Sequence, residues 1–160
     1  MAISASLDAR LKLQHETIAE LVVGFSEETL KRHVVPDKWS AFEQVVHLAS
    51  YQPTFIDRLA LIKTGQRPLF QRYVAENDPL FYRYLEKSLA ELLKITGADR
   101  SVIYDTVKGL HGDQLQQKGI HPKYGEMTVP QWAEFFVLHE AHHLWNIAQL
   151  VSALRSTPRE

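Results

Sequence analysis

The segment from Thr128 to about Arg155 constrains the fold of this chain more than any other. Thr128 stands as a cap, Pro130 falls in the first turn and Gln131 follows the threonine by three residues, which together mark a helix start. At about 100° per residue, Trp132, Phe135, Phe136, His139, His143, Ile147, Leu150 and Leu154 fall on one stripe of that helix. A helix with such a stripe buries it against other elements.

The rest of the chain supplies those elements. Leu11, Ile18, Leu21, Val22 and Phe25 recur at helical steps, predicting a first helix from Leu7 to about Phe25. Ser40 and Glu43 stand in capping-box spacing and open a second helix that runs toward Thr64-Gly65, with Pro53 predicting a kink near Ala49 or Ser50. Asp78-Pro79 starts a third helix over about 79–96, ended by Gly97, and a short fourth element runs from Asp99 to about Gly109. Residues 111–127 read as a long loop, and no strand alternation or internal repeat is visible. The expected fold is all-α, a four-helix bundle, and 160 residues suit one domain spanning 1–160.

Composition narrows the chemistry. The chain has no cysteine, which excludes disulfides, thiolate metal sites and thiol nucleophiles of its own, so a transition metal would need N and O ligands. Eighteen Lys and Arg against 19 Asp and Glu lack the basic excess of a nucleic-acid footprint. Without a basic stretch and apolar run at the N-terminus, or a run of 18 apolar residues, the expected location is the cytoplasm, away from membranes.

Eight histidines remain, three of them within five positions: His139, His142 and His143. His139 and His143 lie one turn and about 40° apart, so both rings can reach a single point. Burying two imidazoles on an apolar face is costly unless their nitrogens are satisfied, and a shared metal ion satisfies them. His142 falls at the edge of the stripe. The run His139-Glu140-Ala141-His142-His143 also matches the zincin pattern H-E-x-x-H, in which Glu140 would be a general base. No sheet precedes the pattern, and Glu160 is the sole carboxylate side chain after His143, so a peptidase is not the expectation. Glu140 is retained as a candidate base or outer partner of a histidine, against the plainer reading of a solvated helix charge. Gln44 and Asn146 are further outer-partner candidates.

The residues alone leave the third ligand open among His15, His33, His47, His111 and His121. A helical wheel places His47 with Glu43, Gln44 and Tyr51 on a polar side of the second helix, at a rim or in solvent.

Trp39-Ser40-x-x-Glu43-x-x-x-His47-Leu48, then His121-Pro122-x-x-Gly125-x-x-Thr128, then His139-x-x-x-His143 resembles the DinB/YfiT-like family across nearly the whole chain. The resemblance implies an up-down-down-up four-helix bundle with a short additional helix. It implies His47, His139 and His143 as ligands of one divalent metal, zinc or nickel first, then iron or manganese. His121 belongs to the loop motif, where a turn role with backbone hydrogen bonds is expected. Family activities imply a transferase using a low-molecular-weight thiol, or hydrolase-type chemistry, on a small-molecule substrate. The alternatives are a non-catalytic metal-binding stress protein and a metal-free helical interaction module. The expected partners are a small molecule and a second copy of the chain, with neither nucleic acid nor membrane. Protons compete for imidazole nitrogens, so metal binding is expected to weaken below about pH 6.5.

Overall fold

Side-chain caps start most of the helices. In the computed structural model, which describes residues 3–156, Ser4 Oγ accepts from the Leu7 N–H ahead of α1 (Ala5–Leu13). A 3-10 turn, Gln14–Glu16, joins it to α2 (Thr17–Val22), and α3 (Glu27–Leu30) is a single turn capped by Ser26. Ser40 and Glu43 form the expected capping box of α4 (Ala41–Ile62). Asp78 caps α5 (Pro79–Leu85), with proline in its first turn. A second capping box, Ser88 with Glu91, starts α6 (Leu89–Lys108). Strands β1 (Lys118–His121) and β2 (Gly125–Thr128) precede α7 (Val129–Ser156).

The α1–α2 segment, α4, α6 and α7 are the four long members of the bundle. Helix α4 packs on both α6 and α7, α1 packs on both of these, and α2 packs on α7. Helix α5 and the hairpin add further cover to α4. As a result every residue from Gln44 to Gln52 is buried, as in a helix enclosed on all sides. His47 is therefore buried, not at a rim or in solvent as a helix with a single buried face would place it. No helix among the described residues is long and apolar enough to cross a membrane.

Three expectations are corrected. The first helix is interrupted by the 3-10 turn. The third helix stops at Leu85, while α6 continues through Gly97. A glycine inside a helix costs about 1 kcal/mol relative to alanine, but Leu92, Thr96, Ile103 and Val107 keep one buried stripe across it. Residues 111–127 are not all loop: β1 and β2 pair antiparallel, with Gly119 opposite Met127 and Ile120 opposite Glu126. Each strand has four residues, too few for alternation to show. Gly125, at φ +74°, takes the left-handed backbone that this short turn requires.

The hairpin is fixed to the bundle at Gly119. Its carbonyl accepts from Trp132 Nε1 at 3.2 Å, and a Cβ there would meet Phe70 Cε2 at 2.7 Å and Ile62 Cγ1 at 2.9 Å. His121 is thereby brought beside Trp132 and Phe135.

The core has two parts. Tyr51, Phe55, Ile62, Ile103, Trp132 and Phe136 belong to one, and Ile18, Phe42, Val45, Leu92, Leu144 and Ile147 to the other. Helix α4 passes from the second to the first between Ala49 and Tyr51, and α7 passes from the first to the second between Val137 and Leu144. His47, His139 and His143 lie at or next to these crossings.

Candidate metal centre

His47 comes from the enclosed middle of α4 and is 4% exposed, whereas His139 and His143 are half-buried on α7. The buried stripe of α7 is rotated from the sequence expectation. It keeps Trp132, Phe136, Ile147 and Leu154 of the expected set and adds Ala133, Val137, Glu140, Leu144 and Val151, leaving both histidines on its shoulder facing α4. His47 Nε2 lies 3.2 Å from His139 Nε2, which lies 3.1 Å from His143 Nε2. One ligand nitrogen from each ring falls within 4.8 Å of the others.

These spacings fit a shared ion. Zinc–nitrogen bonds of about 2.0–2.1 Å give tetrahedral nitrogen–nitrogen edges of about 3.3 Å. His143 Nδ1–H donates to Gln44 Oε1 at 2.6 Å, so its Nε2 presents a lone pair to the cluster. Among the described residues His47 Nδ1 and His139 Nδ1 are buried without partners. With His143 Nε2 held as a lone pair, the ring protons of His47 and His139 cannot satisfy all three inward nitrogens together, and a cation would do so.

The imidazoles are held neutral. Burial, and then the neighbouring His139, pushes His47 down to about 3. Burial lowers His139 to about 4, helped by His142 and Arg58, and lowers His143 to about 2, helped by the other three histidines. Neutral nitrogen is the metal-binding form. Proton competition in the folded chain therefore moves well below the pH 6.5 expected from an ordinary imidazole.

Aromatic rings wall the group. The Trp39 ring lies 5.0 Å from that of His47 and 5.4 Å from that of Phe81, and the Tyr51 ring lies 4.8 Å from that of His139. Tyr73 stands 5.8 Å from His47, and its hydroxyl donates to Asp78 Oδ2 at 3.0 Å. A cleft of about 660 Å³ opens beside Trp39 and Gln44, bounded by Val35, Lys38, Asn146 and Leu150.

The other histidines stand apart from this group. His142 is exposed, with Asn146 Nδ2 3.4 Å from its Nε2. Asn146 thus partners His142 and not a member of the triad. His33 Nδ1 lies 2.8 Å from the Lys38 carbonyl, and His111 precedes a 3-10 turn. His15 lies beside Gly97, and burial with the nearby Arg100 charge lowers it to about 4. His121 takes the turn role: its Nδ1 accepts from the N–H groups of Lys123 and Tyr124 at 3.1 and 3.2 Å.

Glu140 is 1% exposed and is no solvated charge. Its Oε2 pairs with Arg100 Nη2, and its Oε1 accepts from Gln14 Nε2 at 2.9 Å. Both oxygens are engaged toward α6 and the first helical segment, so the carboxylate is not free to work as a base at the histidines. The zincin geometry is absent as well, since His143, not His142, joins His139.

Arg100, Arg58 and Tyr73 had no place in the sequence reading. Arg100 had a visible signal, because Leu92, Thr96, Arg100, Ile103 and Val107 share one helical stripe. Arg58 follows Tyr51 by two turns, a weaker sign, and Tyr73 lies in an irregular stretch with none.

No curated protein matches the sequence. A solved structure, YfiT from Bacillus subtilis, superposes with a TM-score of 0.78 at 17% identity, over 98% of this chain and 92% of that one. That protein is described as a probable metal-dependent hydrolase with an unusual four-helix bundle topology. At this identity the likeness carries the fold. A family model matches residues 10–147, and the chain belongs to the DinB superfamily.

Proposed function

We propose that this chain is a divalent-metal-dependent enzyme acting on a small molecule, with His47, His139 and His143 as the ligands. The observation that carries the reading is the convergence of three Nε2 atoms, with neighbouring contacts of 3.1 and 3.2 Å. A divalent ion held by three neutral imidazoles keeps its full charge and an open position, where it acidifies a bound water or an incoming thiol.

The chain's own residues set the remaining conditions. Gln44 fixes the orientation of His143 from behind. Trp39, Tyr51 and Tyr73 enclose the site and limit water around it. The cleft lies beside Trp39 and Gln44, which contact His47 and His143. Because the chain has no cysteine, any thiol must arrive as a separate molecule. The Glu140–Arg100 pair braces α7 against α6, one residue from His139.

The test loads tag-free protein with zinc or nickel and offers it chromogenic esters, then an electrophile with a panel of cellular thiols. Turnover that requires metal and vanishes in His143→Ala supports the reading, and its dependence on thiol separates transferase from hydrolase. Casein cleavage that disappears in Glu140→Gln would contradict it and restore the zincin reading. Metal binding without turnover in either assay would favour the non-catalytic alternative.

A further inference from the structure

Arg58 is a buried guanidinium without a carboxylate. It is 7% exposed, and its hydrogen bonds go to Tyr51 Oη at 3.2 Å and the Gln71 carbonyl at 2.8 Å. The rings of Phe70, Trp132 and Tyr51 lie 5.3, 5.6 and 5.8 Å from its Cζ. Among the described residues no acid forms an ion pair with it. Arg100, enclosed further still at 1% exposure, has Glu140. A buried cation without a counter-ion is unfavourable, and ring faces compensate it only in part.

Two further donors, one bonded to Arg58 and one sharing the Trp132 ring with it, lack acceptors among the described residues. Arg58 donates to the Tyr51 oxygen and cannot accept, so the phenolic proton of Tyr51 must point elsewhere. His121 Nδ1 is occupied as an acceptor by two backbone N–H groups, which places the ring proton on Nε2. These groups flank His139: the Tyr51 ring lies 4.8 Å from it, and Phe135 bridges from His121 at 5.1 Å to His139 at 6.4 Å. The group lies toward Tyr51 along α4, in the opposite direction from Gln44 and the cleft.

We infer that Arg58, Tyr51 and His121 form a subsite for the oxyanion, carboxylate or phosphate, of a small acidic substrate whose reacting end faces the three histidines. Its assignment to the substrate rests on the metal-enzyme reading, while the anion binding itself does not. The N–H and O–H donors left over after these bonds select a group that only accepts, and a charged acceptor also neutralises Arg58.

The experiment titrates the full-length chain, free of metal, with sodium acetate and separately with sodium phosphate, against sodium chloride at matched ionic strength. The zinc-loaded chain is titrated with acetate. The Arg58 Nε–H and Trp132 indole N–H resonances report binding, and zinc content is measured on the same preparations. Saturable shifts are expected from acetate, phosphate or both, with roughly tenfold weaker binding in Tyr51→Phe and a larger loss in Arg58→Met. Both variants should keep the wild-type zinc content. Tyr51→Phe keeps the ring and decides the matter if Arg58→Met unfolds. Shifts no larger than those from chloride, equal affinity in Tyr51→Phe, or loss of zinc in that variant would each overturn the subsite. Zinc-free protein that still binds the anion, with no zinc taken up on loading, would remove the metal reading and leave the subsite standing.

Discussion

His143 Nδ1 and Gln44 Oε1 are 2.6 Å apart across the α4–α7 contact, and this bond turns the Nε2 of His143 toward His139 and His47. Replacing Gln44 by Ala frees the ring without removing a ligand. Outer partners of this kind support metal affinity by about 10- to 100-fold. Competition with a chromogenic chelator should show a loss of that size in Gln44→Ala, with the helical circular dichroism unchanged. Unaltered affinity would mean that the bond does not orient the ligand.

Glu140→Gln should act on stability before it acts on anything else. It leaves the Arg100 charge buried without its partner, which typically costs about 3–5 kcal/mol. Urea unfolding should show a clear drop in midpoint, and the double variant Arg100→Met with Glu140→Leu should recover much of it. A stable Glu140→Gln protein that has lost only activity would point back to a catalytic carboxylate.

How far these two sites could be read from sequence differs for a physical reason. Spacing alone put His139 and His143 together, because one helix fixes their relation. His47 needed the family resemblance, since its wheel position pointed outward and only the enclosure of α4 by α6, α7 and α5 buries it. Glu140 was misplaced because α7 is apolar on more than one side, so the stripe could be drawn through Phe135 and His139 or through Val137 and Glu140. The structure chooses the second. The hairpin escaped because Ile120 and Met127 are the large apolar residues of two four-residue strands. The serine caps at Ser40 and Ser88 were both legible locally. The second starts α6 inside the expected third helix, and the buried stripe of α6 outweighs the break signal of Gly97.

Metal-free protein should lose stability as the pH falls. In the unfolded chain each imidazole takes up a proton near pH 6.5, but in the folded chain His47, His139, His143 and His15 resist until about 3, 4, 2 and 4. Between those limits the unfolded state binds more protons. The stability is therefore fully present above about pH 6.5 and declines below it, by up to about 1.4 kcal/mol per pH unit for each histidine. Urea midpoints measured from pH 7.5 to 5 should fall, and His139→Gln should flatten the slope by close to one proton. A slope unchanged by that substitution would contradict the assigned burial effect.

Gly119→Ala should disturb the hairpin. Its new Cβ would meet Phe70 and Ile62 below 3 Å, an overpacking that costs about 1–3 kcal/mol. Thermal unfolding should register the loss, together with a shifted Trp132 indole resonance. An unaffected melting temperature would show that the hairpin yields freely.

The central claim is tested most directly by metal stoichiometry. Tag-free protein, loaded with zinc or nickel and dialysed near neutral pH, is measured by elemental analysis beside His47→Ala, His139→Ala, His143→Ala and His142→Ala. About one metal per chain is expected for the wild type and His142→Ala, with large losses in the other three. Negligible metal in the wild type, or equal losses in His142→Ala and His143→Ala, would contradict the three-histidine centre.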